Sequence, residues 1–62
     1  MMGPTDYVVR SWLPAPGTHE RLSVVDRHGR VVHVAVTRHA VLAGHVDALV
    51  RRRIAALPPH RP

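Results

Sequence analysis

The sequence predicts a single α+β domain, a three-stranded antiparallel β-meander followed by one C-terminal α-helix packed on one face (βββα). Three observations carry this prediction. Residues 21–37 show apolar alternation at period two on both sides of a three-residue Arg-His-Gly break. From residue 38 to 57 the apolar period lengthens to nearly 3.6. Upstream, a β-prone segment is cut off from the rest by two prolines and a glycine. The domain is assigned to 6–57. Residues 1–5, with Gly3 and Pro4, are expected to be disordered, and 58–62 to form a Pro-rich tail.

The first strand is expected over Asp6–Leu13, where Tyr7, Val8, Val9 and Trp12 favour extended backbone. Strict alternation puts Tyr7, Val9, Ser11 and Leu13 on the core side. Val8, Arg10 and Trp12 then fall on the outer side. Pro14 and Pro16 fix φ and remove backbone donors, Gly17 permits a left-handed turn, and a loop of about six residues follows.

The second and third strands are expected over Arg21–Asp26 and Arg30–Thr37. Arg27-His28-Gly29 has the pattern of a type I turn closed by a left-handed glycine. Flanking that loop with Asp26 and Arg30 pairs Val24 with Val32 and Leu22 with Val34. One face then becomes wholly aliphatic, and a slip of one residue would destroy it. The opposite face carries Arg21, Ser23, Val25, Val31, His33 and Ala35.

Thr37 is the expected helix N-cap, without the acidic residue three positions on that would complete a capping box. Leu42, Val46, Leu49, Val50, Ile54 and Leu57 form an amphipathic stripe along a continuous helix 38–57. Asp47 and Arg51 form an i,i+4 pair. Gly44 is read as an interior glycine whose missing side chain allows close approach of a neighbouring element. Pro58 and Pro59 end the helix.

A domain of 62 residues buries only about 60% of its unfolded surface, and disulfides, metals or partners usually supplement such a core. There is no cysteine, so disulfides and thiolate metal sites are excluded. Tyr7 and Trp12 are the only aromatic residues, so Val, Leu, Ile and Ala must build the core. A second copy or a larger protein is the expected supplement. Met1–Trp12 has neither the basic start nor the apolar run of a signal peptide, and no segment approaches the ~20 apolar residues of a membrane span. A cytoplasmic protein is expected.

The net charge is +5, and all nine basic residues are arginine. Arginine grips phosphate and carboxylate in bidentate fashion, although a compositional bias against lysine gives the same count. For a nucleic-acid contact the candidates are Arg10, Arg21, Arg27 and Arg30 on the sheet and hairpin, supported by Arg51 and Arg52. Arg51 and Arg52 are expected to face solvent and Arg53 to lie nearer the stripe. The outer sheet face supplies a candidate protein interface in Val8, Trp12, Val25 and Val31, too apolar for a solvated face.

Catalysis and metal binding find little support. The six histidines are scattered, and His39 and His45 stand six apart, facing different ways on a helix. The four carboxylates and two serines form no recognisable acid–base or nucleophile pattern. No cofactor and no small-molecule substrate are expected, and the protein reads as a non-enzyme. The order of elements resembles two small modules. Val24–Arg30 is similar to the second-hairpin turn of integrase-type DNA-binding domains, which implies sheet-mediated DNA binding. Ser11-Trp12-Leu13-Pro14 with Pro16-Gly17 is similar to the Trp-Pro segment of MbtH-like accessory proteins of peptide synthetases, which implies docking on a larger protein. Each resemblance covers only those residues and transfers no residue roles. The two functional expectations are therefore a basic DNA-binding module and an accessory or interaction subunit.

Overall fold

The computed structural model describes residues 2–59. Strands β1 (Tyr7–Pro14), β2 (His19–Asp26) and β3 (Val31–Thr37) form one antiparallel sheet in the order β1-β2-β3. Helices α1 (Arg38–Leu42) and α2 (Val46–Ala55) follow. This is the expected α+β arrangement, with the single helix divided in two. Met1 and His60–Pro62 lie outside the described residues, as does most of the expected 58–62 tail. At the N-terminal end, the Asp6 N–H donates to the Gly3 carbonyl (3.2 Å) and the Gly3 N–H to Asp6 Oδ2 (2.6 Å), closing a turn where a frayed segment was expected.

The hairpin β2–β3 has the expected register, Val24 opposite Val32 and Leu22 opposite Val34. Gly29 adopts φ +79°, a left-handed conformation that favours glycine, and its N–H donates to the Asp26 carbonyl. The side chains of Leu22, Val24, Val32, Val34 and Val36 point to one side, where Val50 and Ile54 of α2 cover them. Those seven are the buried hydrophobic core, and Tyr7, Val41, Val46, Leu49 and Leu57 pack around it.

Three expectations about the helical region are corrected. The continuous helix 38–57 breaks at Ala43–His45, because Gly44 sits at φ +77° and ends α1. The Gly44 N–H donates to the Val41 carbonyl and the His45 N–H to the Ala40 carbonyl, the paired bonds of a Schellman motif. Gly44 therefore serves as a helix stop. No atom would meet a Cβ added there within 4 Å, so close approach of a neighbour is not its reason. The break also rotates α1 relative to α2. Leu42, assigned to the core stripe, is 83% exposed, and Val41 packs inward in its place. The Thr37 cap is present, its Oγ1 accepting from the Ala40 N–H at 3.1 Å.

The first strand is also corrected. Its register shifts between Val9 and Ser11, a β-bulge that takes up Arg10. Val9 pairs with Val24, but beyond the bulge Ser11 pairs with Ser23 and Trp12 with Leu22. The extra residue inverts the alternation. Trp12 moves to the helix-facing side, and Ser11 and Leu13 move to the outer side. The Trp12 indole Nε1–H donates to Glu20 Oε1 at 2.6 Å.

Replacing Gly44 separates its two readings by sign. An interior helix glycine changed to alanine gains about 1 kcal/mol, whereas an alanine forced to positive φ loses about 1–2 kcal/mol. Urea titration of Gly44→Ala is expected to show destabilisation.

Candidate interaction surfaces

Paired residues of an antiparallel sheet share a face, so the register defines the uncovered side. Three rows cross it: Val8–Val25–Val31 at the hairpin end, Ser11–Ser23–His33 in the middle, and Leu13–Arg21–Ala35 at the far end. Val8 and Leu13 are about 60% exposed and Val31 is 44% exposed. Three of the four residues expected at an apolar interface, Val8, Val25 and Val31, thus come together as one row. Trp12 does not join them, for the bulge has turned it to the other side. Leu13 joins the outer side instead, which strict alternation could not reveal.

In the middle row Ser23 Oγ lies 2.9 Å from His33 Nδ1. A hydroxyl–imidazole pair begins a nucleophilic site, which also needs a group to orient the imidazole and donors for an oxyanion. The hydrogen bonds of the described residues give His33 no carboxylate partner. Among the described residues, no group of three His, Cys, Asp or Glu side chains is arranged to hold a metal ion.

Of the six arginines nominated for nucleic acid, two are engaged by carboxylates within the fold. Arg51 was expected to face solvent. Instead it lies against the start of the chain, with Nη1 2.8 Å from Asp6 Oδ1 and Nε 3.1 Å from Asp47 Oδ2. Its guanidinium stands 5.6 Å from the centroid of the Tyr7 ring, and the Tyr7 hydroxyl donates to Asp47 Oδ1 at 2.8 Å. The Arg51 hydrogen bond, then the Gly3 N–H, hold the Asp6 carboxyl below its ordinary range. Bonds from Tyr7 and then Arg51 do the same for Asp47. Burial, followed by the Asp47 contact, pushes the Tyr7 phenol up. The two carboxylates push Arg51 up.

Arg30 is likewise engaged. Its Nε lies 2.7 Å from Asp26 Oδ2, and its Nη1–H donates to the Pro58 carbonyl at 2.8 Å. Asp26 is 3% exposed. Its Oδ1 also accepts the N–H groups of His28 and Arg30, both at 2.9 Å. Burial raises the Asp26 carboxyl, but the Arg30 N–H, the Arg30 guanidinium and the His28 N–H outweigh it and leave the group below its ordinary value. Arg10, Arg21, Arg27, Arg52 and Arg53 have no carboxylate within 4 Å among the described residues. Arg21 lies on the open face and Arg27 at the hairpin tip. Arg52 and Arg53 lie on α2, beside β3.

Two surface recesses flank α2. The larger, of about 500 Å³, is walled by Arg27, His28 and Arg30 of the hairpin and by Thr5, Ile54 and Leu57 among others. No carboxylate lines it. The smaller, of about 330 Å³, runs between β3 and α2 and is lined by Val34, Ala35, Leu49, Arg52, Arg53 and Ala56. No described helix is long and apolar enough to cross a membrane. No protein-family model, no curated protein and no solved structure matches this chain.

The Asp26 network makes a signed prediction. A carboxyl whose folded-state pKa is depressed stabilises the fold above its unfolded value of ~3.9, and that contribution disappears as pH falls through the lower folded value. Asp26→Asn keeps the shape but weakens three charge-assisted bonds. It is expected to lose about 1–3 kcal/mol at neutral pH. Urea titrations of parent and variant should show the gap narrowing below about pH 4; a gap that stays constant into acid would contradict this role.

Proposed function

We propose that the protein is a small, non-enzymatic interaction module whose open sheet face pairs with a second copy of the chain. The observation that carries this reading is the Val8–Val25–Val31 row, with Leu13 on the same side and nothing of the described chain covering it. A sheet needs an apolar partner on each apolar face, and the helices supply only one. A second sheet laid about 10 Å away places an identical aliphatic row against this one. The self-pairing is electrostatically feasible because Arg21 lies four residues from Val25 along β2, about 13 Å away. Two sheets centred on the valine rows and running in opposite directions keep their Arg21 side chains apart. The face is about 15 by 20 Å, or about 600 Å² over both partners, below the ~1,200 Å² of standard specific interfaces, so a weak, transient dimer is expected.

Val8→Glu and Val31→Glu change exposed positions and are expected to leave the fold intact, as checked by circular dichroism. Sedimentation equilibrium at protein concentrations up to about 1 mM should then show the parent dimer replaced by monomer. A parent that is monomeric throughout this range rejects the self-pairing.

A second reading, DNA binding, rests on the basic recess beside the hairpin, where Arg27, His28 and Arg30 stand together with no carboxylate on the wall. It uses Arg27 of the nominated set, since Arg30 is held by Asp26, with Arg10 and Arg21 on the sheet as outlying phosphate contacts. In this reading a fluorescent duplex binds at low salt, and log affinity falls linearly with log salt. Absence of binding at micromolar protein in low salt removes it.

A further inference from the structure

The two edges of the sheet are protected very differently. The free edge of β1 carries a bulge, the charged Arg10 and, at its end, Pro14, which has no N–H to offer. These are the devices by which natural sheets block an added strand. β3 has none of them. Its seven residues, VVHVAVT, contain no proline, glycine or formal charge, and its pairing with β2 is unbroken. Such a strand is a ready template for another.

The hydrogen-bond phase identifies the vacant positions. The Asp26 N–H donates to the Arg30 carbonyl, and the Arg38 N–H donates to the Thr18 carbonyl. Both place the even-numbered residues of this segment inward, towards β2. By alternation, the N–H and C=O groups of Val31, His33 and Ala35 point outward from the sheet. Alongside that edge runs the 330 Å³ recess, with Val34, Leu49 and Ala56 as its apolar wall and Arg52 and Arg53 on its helix side. Neither arginine has a carboxylate within 4 Å among the described residues.

We infer that β3 is a docking edge for an extended acidic peptide, which adds as a fourth strand and fills the recess under α2. Backbone bonds to Val31, His33 and Ala35 hold the strand. Alternate side chains of the peptide face α2, where aliphatic groups meet Leu49 and Ala56 and carboxylates meet Arg52 and Arg53. The charge selects the occupant. If two copies joined through β3, both α2 helices would lie on the same side, and Arg52 and Arg53 of one would face those of the other. An acidic strand docked on one copy meets its two arginines with attraction instead. The edge offers the backbone groups of Val31, His33 and Ala35 while the open face offers their side chains, so the inference does not depend on the homodimer reading.

The test uses the full chain and a labelled seven-residue peptide, Val-Thr-Glu-Thr-Glu-Thr-Val, whose alternate positions carry both valine and glutamate on one face, read by fluorescence anisotropy. Saturable binding is expected, weakened by salt and at least about tenfold weaker for the same peptide with glutamine in place of glutamate. The double variant Arg52→Glu, Arg53→Glu should lose binding of the glutamate peptide. Ala35→Pro removes one outward N–H without touching an inward bond, a substitution that edge strands tolerate, and should lose binding while keeping the parent circular dichroism spectrum. Should Ala35→Pro unfold the chain, a peptide N-methylated on the residues that face β3 makes the same test from the other side. No binding, equal binding of the glutamine peptide, or binding untouched by both edge blocks would overturn the inference. So would self-association of the parent that Ala35→Pro abolishes, since a second copy would then own the edge.

Discussion

One constraint governs this protein: the chain has enough helix to cover one face of its sheet. Leu22, Val24, Val32, Val34 and Val36 face Val50 and Ile54, and that pairing exhausts the buried hydrophobic residues. The other face is left with its valines at the surface. The proposed pairing of two copies through this face follows from the same shortage.

A core this thin is supplemented by polar clamps at the two ends of α2. At its start, Asp47 and Arg51 join Tyr7 and Asp6, tying the first strand and the N-terminal turn to the helix. Beyond its end, the Pro58 carbonyl accepts from Arg30, whose guanidinium is in turn held by the buried Asp26. Asp26 thus fixes the hairpin turn through two backbone N–H groups and, through Arg30, the exit of the helix. Exposed ion pairs contribute little to stability. The Asp26 carboxylate is different because it is shielded from water and fully engaged. These clamps also dispose of two arginines that composition alone would offer to phosphate, which is why the count of nine arginines overstates the cations open to a partner.

The hairpin was legible in the sequence because its signals are local. Two residues flank a three-residue loop, Gly29 supplies positive φ, and only one register makes a face aliphatic. Thr37 and the Asp47–Arg51 pair were readable for the same reason. Gly44 was misread because the 3.6-residue apolar period continues across it; the period constrains which residues can face the core and says nothing about a stop that re-phases the helix. The bulge at Arg10 had no glycine to announce it, and one inserted residue was enough to exchange Trp12 for Leu13 on the open side. Asp26 did carry a readable sign, an aspartate opening a turn that ends in glycine. Its burial, like the capture of Arg51 by residues more than forty positions away, depended on tertiary structure.

The central claim is that the open sheet face is covered by another copy in solution. Paramagnetic relaxation of valine and leucine methyl groups by a soluble gadolinium chelate tests it directly. The account predicts that Val8, Val25 and Val31 are shielded at high protein concentration and become accessible on dilution, while Leu42 on α1 remains accessible throughout. Full accessibility of all three valines at every concentration would contradict it.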